Sequence, residues 1–195
     1  VIQSGTPLSI LLWGPPGCGK TTLARLYAKA FDANFVPFSA VFQGIADLKK
    51  AMQEMEAHPL FQRKLVIFVD EIHRFNKAQQ DAFLPFVENG KITLIGATTE
   101  NPSFALNNAL LSRLRILTLN PLNNEELHSL IHRFETKIKP LPVTDDGKKA
   151  LVAWSGGDAR QLLNMLETLN LAPPTPLLTP ETLPSWVQRK APLYD

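Results

Sequence analysis

Four short apolar runs punctuate the first half of the chain: LSILLW (Leu8–Trp13), FVPFSA (Phe35–Ala40), LVIFVD (Leu65–Asp70) and ITLIGAT (Ile92–Thr98). A fifth, RILTL (Arg115–Leu119), follows. Their apolar content is nearly continuous rather than alternating, which predicts strands covered on both faces, as in a parallel sheet. The segments between them are helical in pattern. Lys20–Phe31 holds no strong helix breaker, and IADLKKAMQEMEA places Ile45, Leu48, Met52 and Met55 at helical spacing. NKAQQDAFLPFVEN predicts a third helix, with Pro85 kinking it or starting a new turn. Strands alternating with helices predict an α/β fold over residues 1–120, a five-stranded parallel sheet flanked by helices.

Beyond Leu119 the pattern changes. Asn124 is the predicted cap of a helix carrying Leu127, Leu130, Ile131 and Phe134 on one side. TDDGKKALVAWS and GDARQLLNMLETLNL predict two more helices, so residues 121–172 read as a small all-helical unit. Residues 173–195 hold many of the 16 prolines and read as a linker, with one short helix near Glu181–Lys190, toward a further domain. The chain lacks an initiator Met and enters a core strand almost at once, which predicts a segment of a longer protein.

Composition narrows the picture. At 45% hydrophobic residues over 195 positions, the chain can build a globular core. No apolar run approaches the roughly 18–20 residues of a membrane span, so no membrane partner is expected. The single cysteine, Cys18, excludes an intrachain disulfide and fits a reducing, cytoplasmic setting. A net charge of +2 neither requires nor excludes a nucleic-acid partner, because a basic patch can hide in a balanced total.

The chemistry begins at GPPGCGKT (Gly14–Thr21), which fits the phosphate-loop pattern G-x-x-x-x-G-K-[ST]. An apolar strand precedes it and a helix follows. Its glycines allow a tight turn that points backbone N–H groups inward, and the helix N-terminus adds partial positive charge. Lys20 is the candidate contact to the β- and γ-phosphates, and Thr21 the candidate Mg²⁺ ligand. Cys18 occupies a loop position with no obligatory side-chain chemistry. It reads as a small residue that fits, with redox sensing as the alternative.

LVIFVDEIHRF delivers Asp70 and Glu71 to the carboxyl end of a buried strand, where ligands of open α/β sheets gather. Asp70 is the candidate Mg²⁺ holder and Glu71 the candidate base for water. The next strand ends in GATTEN, where Thr99 or Thr98 can sense the γ-phosphate. Arg113 in LLSRLRIL and Arg160 in GGDARQLL suit phosphate recognition, since guanidinium is permanently charged and bidentate. Asp158 is the predicted cap of the helix that carries Arg160. His73 reads as a structural or coupling residue, and no Cys/His cluster has zinc spacing.

That order resembles the AAA+ ATPases of the clamp-loader and Holliday-junction-motor branch. FVDEIHRFNKAQQDAFLPFVENGKITLIGATTENPSFALNNALLSR (Phe68–Arg113) is similar to the replication-associated recombination protein A family, also called MgsA. The eukaryotic Werner-helicase-interacting ATPase belongs to that family. HRFNKAQQDAFLP and GATTENPSF are far more specific than the phosphate loop, and the likeness covers about residues 8–172.

The resemblance implies a role for each position. Gly14, Pro15, Pro16, Gly17, Cys18, Gly19, Lys20, Thr21 and Thr22 become the Walker A loop, Asp70 and Glu71 Walker B, and Thr99 sensor 1. Arg113 becomes an arginine finger inserted into a neighbouring subunit's ATP, and Arg160 a sensor 2 on its own site. ATP and Mg²⁺ are the implied cofactors. DNA, forked or single-stranded, is the implied partner, together with replication and repair proteins, in the cytoplasm of a bacterium or the nucleus of a eukaryote. Lys49, Lys50, Arg63, Lys64, Arg74 and Lys77 are candidate DNA-phosphate contacts, or simply solvated faces. Members usually start with an added segment that helps hold adenine and end in a part that carries tetramerisation. The resemblance places both beyond this chain and implies a monomer for the segment alone. The expected function is ATP-driven DNA maintenance at replication forks. The alternatives are a junction-migration motor, a clamp-loader-like subunit and a nucleotide-gated binding module.

Overall fold

A computed structural model describes residues 7–40, 46, 50, 64–173 and 175–187. The helix expected through Ile45, Leu48, Met52 and Met55 lies outside the described residues, as do Lys49 and Arg63. Chain contacts divide the molecule into two units, Val1–Gly14 with Gly19–Leu119, and Pro15–Cys18 with Asn120–Asp195.

In the first unit, five parallel strands form one sheet: β1 (Ile10–Trp13), β2 (Asn34–Ser39), β3 (Leu65–Asp70), β4 (Ile92–Thr98) and β5 (Arg115–Thr118). The order across the sheet is β2-β3-β4-β1-β5. Successive strand residues point to opposite faces, and both faces are packed. Leu11, Ile67, Val69 and Leu94 enter one core with Phe75, Phe83 and Leu110. Ile10, Leu12, Val66, Phe68, Ile95 and Ala97 enter the other with Ala24, Tyr27 and Ala28 of α1 (Lys20–Ala30). Every residue of β4 is buried, which is why its sequence does not alternate.

The stretch expected as one helix around Pro85 is two, α2 (Lys77–Asp81) and α3 (Leu84–Glu88). Pro85 stands in the first turn of α3, where its missing N–H costs nothing. Two further short helices, α4 (Pro102–Ala105) and α5 (Asn108–Leu111), lead into β5.

Gln80 ties these short helices together. Its side chain is buried, and Nε2 donates to the carbonyls of Phe75 and Ala105, both at 3.0 Å. Its Oε1 accepts the Asn107 N–H at 2.8 Å. One amide therefore satisfies three backbone groups that the short helices leave open.

The second unit packs α6 (Asn124–Lys137), α7 (Asp145–Ser155) and α8 (Ala159–Leu169) around Leu127, Ile131, Phe134, Leu151, Leu162 and Leu166. The cap of α6 is Asn123, not Asn124 as the sequence reading expected. Asn123 Oδ1 accepts the Glu126 N–H, and Glu126 Oε2 accepts the Asn123 N–H. That reciprocal pair fixes the helix start one residue earlier. Asp158 caps α8 as expected, accepting from the Arg160 and Gln161 N–H groups.

The described part of the proline-rich tail departs from the linker expected at 173–195. Leu178 and Leu183 are buried in the helical core, and Leu178 bridges to Val143. A final turn, α9 (Pro184–Val187), brings Trp186 and Val187 against the same core. The apolar residues between the prolines have a surface to bury on, and that outweighs the local tendency to extend.

Replacing Gln80 by Leu leaves two buried carbonyls and one N–H without partners. It should cost about 2–4 kcal/mol, read as a lower urea midpoint at unchanged slope.

Candidate functional site

All five strands run parallel, so the residues that follow them gather at one edge of the sheet. β4 lies between β1 and β3 in the sheet. Trp13 pairs with Thr98, and Val69 with Gly96. The ends of β1, β4 and β3 are therefore neighbours, and they carry Gly14, Thr98–Thr99 and Asp70–Glu71 respectively.

The phosphate loop leaves β1 at Gly14, whose N–H donates to the Thr98 carbonyl at 3.2 Å. Gly19 is the N-cap of α1, at φ +92°, where a side chain would be strained although space is open. No side chain caps α1 and its first turn holds no acid. The helix end thus presents N–H donors and partial positive charge to an anion. Lys20 is buried, with Nζ donating to the Gly14 carbonyl at 2.7 Å. Gly14 and Cys18 are buried; Pro15, Gly17, Gly19 and Thr21 are half-buried; Pro16 and Thr22 are exposed.

Asp70 ends β3 half-buried, and its Oδ1 accepts the Glu71 N–H at 3.1 Å. Glu71 adopts φ 52°, ψ 46°, a left-handed conformation that costs a non-glycine residue roughly 1–2 kcal/mol. The reversal starts a 3₁₀ turn, Ile72–Arg74, and the turn swings His73 back toward β4. His73 Nδ1 lies 2.9 Å from Thr98 Oγ1, and Nε2 lies 3.2 Å from Glu71 Oε2. Gly96 makes room for the turn, since a Cβ there would stand 3.0 Å from Ile72 Cδ1 and Leu11 Cδ1.

Of the two threonines expected to sense phosphate, Thr98 is fully buried and bonded to His73. Thr99 is exposed at the strand end. Arg113 follows α5 and is partly exposed. It donates to the Ala109 carbonyl at 2.7 Å and to Ser112 Oγ at 3.2 Å, and it pairs with Glu88 of α3. Arg160 is exposed in the first turn of α8, in the second unit. Lys50, Lys64, Arg74 and Lys77 are exposed. Sequence reasoning did not single out Glu88 or Glu100. The sequence signal for Glu100 was its place directly after the Thr-Thr pair, and nothing local marked Glu88 as the partner of Arg113.

The donor set fits Mg²⁺. Asp70 and Thr21 offer a carboxylate and a hydroxyl, the hard oxygen ligands this ion takes alongside nucleotide phosphates. Among the described residues no group of three or more His, Cys, Asp and Glu side chains is placed to hold a metal alone. Among them, too, no helix is long and apolar enough to cross a membrane.

The model of the ATPase family associated with various cellular activities (AAA) matches residues 10–122. Replication-associated recombination protein A of Coxiella burnetii is 46% identical over 174 residues, covering 86% of this chain and 39% of that protein. The Escherichia coli K12 protein of the same name is 44% identical over the same shares. ATPase WRNIP1 of Dictyostelium discoideum is 44% identical over 173 residues, 86% of this chain and 20% of that protein. This chain therefore spans about two fifths, or less, of these relatives. Among solved structures, the Thermotoga maritima RuvB Holliday junction branch migration motor superposes with a TM-score of 0.73. Identity is 27%, over 96% of this chain and 63% of that one.

Gly96→Val should destabilise the first unit by about 1–3 kcal/mol, because the branched side chain must displace both Ile72 and Leu11. Thermal unfolding checks this, and Gly96→Ala should cost less, since it meets only the ends of those two side chains.

Proposed function

This chain belongs to the AAA ATPase family, in the group of replication-associated recombination protein A, and from that premise we propose that it hydrolyses ATP in DNA maintenance at replication forks. The observation that carries the reading is the meeting of three strand ends. The phosphate loop, the Asp70–Glu71 pair and the Thr98–Thr99 end stand side by side at the carboxyl edge.

The residues divide the work as follows. The loop from Gly14 to Thr22 and the N-terminus of α1 bind the phosphates, and Lys20 reaches the β- and γ-groups. Thr21 and Asp70 would hold Mg²⁺, which when bound neutralises charge developing on the phosphates. Glu71 takes a proton from water, and the water oxygen bonds to the γ-phosphorus. The bond to the bridging oxygen breaks, releasing ADP and phosphate. Thr99 orients the γ-phosphate. Arg113 supplies charge to a neighbouring subunit's site, and Arg160 does so for its own. A second carboxylate beside the metal ligand favours hydrolysis over mere binding, which argues against a nucleotide-gated binding module.

DNA is the proposed partner, and a homo-oligomer the proposed working form, because a finger acting in trans makes hydrolysis depend on assembly. The likeness to a branch migration motor favours a second reading, in which ATP drives movement of four-way junctions. ATP-dependent conversion of a synthetic junction to duplex arms would select that reading. ATP turnover stimulated by forked or single-stranded DNA without such conversion would select the first, and no stimulation by any DNA would remove both.

Glu71→Gln should retain ATP binding and lower kcat about 10²–10⁴-fold. Unchanged turnover would remove Glu71 as the base. Subunits carrying Arg113→Ala, mixed with subunits carrying Lys20→Ala, should regain activity at interfaces that join an intact loop to an intact finger. Activity no higher than the sum of the separate variants would remove the trans role.

A further inference from the structure

The proposed chemistry gives the His73 side chain no role. The His73 side chain is 8% exposed, and its two ring nitrogens face three partners. Nδ1 meets Thr98 Oγ1 at 2.9 Å, while Nε2 meets Glu71 Oε2 at 3.2 Å and Glu100 Oε1 at 3.5 Å. Thr98 Oγ1 already accepts the Glu100 N–H at 3.0 Å. The carboxylate oxygens facing Nε2 only accept, so the tautomer that satisfies every contact carries its proton on Nε2 and leaves Nδ1 to accept from the Thr98 hydroxyl. That single N–H points between two carboxylates and can bond well to only one at a time.

The same contacts lead back to the phosphate loop. Lys20 Nζ donates to the Gly14 carbonyl, and the Gly14 N–H donates to the Thr98 carbonyl. The Thr98 hydroxyl meets the ring that holds the proposed base. A displacement of the β4 end thus reaches Glu71 through one side chain. Glu100, two residues past Thr98, moves with that end.

We propose that His73 is a two-setting positioning residue that engages Glu71 through Nε2–H in one setting and passes that N–H to Glu100 in the other. The proposal rests on the ATPase reading above. While the N–H occupies Glu71, one carboxylate oxygen is committed and the group is a poorer base. Transfer to Glu100 frees Glu71 to take the proton of the attacking water. Phosphate bound at Lys20 and at the end of β4 acts on the chain of bonds that selects the setting. The strained backbone at Glu71 fits this role, since it is what turns His73 toward β4.

A double-mutant cycle in the intact protein tests the relay. Glu100→Gln removes the better alternative acceptor, so kcat should fall about tenfold while the KM for ATP changes less than about twofold. In a His73→Ala background the same substitution should have no further effect. A tenfold loss from Glu100→Gln with or without His73 would overturn the proposal.

Nitrogen-15 NMR of the imidazole supplies a readout independent of turnover. His73 in the unsubstituted protein should be protonated on Nε2 alone. A non-hydrolysable ATP analogue should shift that N–H resonance, and Glu100→Gln, a change at a mostly exposed side chain, should abolish the shift. A proton on Nδ1 alone, or a shift that survives Glu100→Gln, would overturn the relay whatever the ATPase rate. Absence of ATP hydrolysis by the unsubstituted protein would instead count against the ATPase reading, and the NMR result would still decide the relay.

Discussion

The site depends on the position of β4 between β1 and β3, and on how its last residue is satisfied. Thr98 is fully buried, so both its carbonyl and its hydroxyl need partners. The carbonyl accepts from Gly14, where the phosphate loop begins. The hydroxyl meets the Glu100 N–H and the His73 ring. Leaving such a group unpaired costs about 1–3 kcal/mol, so the loop entry, the turn that carries Glu71 and His73, and the strand end cannot drift apart freely. The strand order makes this possible, because it places one strand within reach of both others.

At that edge, the chain holds one strained residue where chemistry is proposed. Two described non-glycine residues have positive φ, Asp32 and Glu71. Asp32 lies in the turn after α1, where a short polar side chain suits the left-handed region. Glu71 has no such local excuse. Its conformation persists because β3, the buried Ile72 and the His73 contacts fix the turn on both sides. Gly96 serves the same end by leaving room for Ile72.

Much of this was legible in the residues, and the limits have physical causes. Leu65–Asp70 and Ile92–Thr98 were read to the residue, because full burial on two faces leaves an unbroken apolar run. The places of Gly14–Thr21 after β1 and of Asp70–Glu71 at the end of β3 were legible because each follows directly on an apolar run. The cap of α6 lies one position before the expected Asn124 because Asn123 forms a reciprocal bond with Glu126. The tail was read from proline content, a local property, while Leu178 and Leu183 are fixed by a distant core. The roles of Thr98, Glu88 and Glu100 stayed hidden because they depend on distances between segments far apart in sequence. His73 and Thr98 are separated by 25 positions.

The two side chains proposed to act on phosphate and water are each held by a partner side chain, but in different surroundings. Arg113 and Glu88 are 38% and 49% exposed. A pair that open to water is worth about 0–1 kcal/mol, so a phosphate on a neighbouring subunit can outcompete Glu88 with little cost. Glu71 is held by a ring that water hardly reaches, and whose other nitrogen is bonded to a fully buried hydroxyl. A polar group that water hardly reaches is costlier to leave without a partner. On the proposed roles, release of Glu71 requires a replacement acceptor for the His73 N–H within the same chain, for which Glu100 is placed, whereas release of Arg113 requires only that a partner arrive. In the proposed scheme the finger answers to assembly, and the base to what is bound in its own loop.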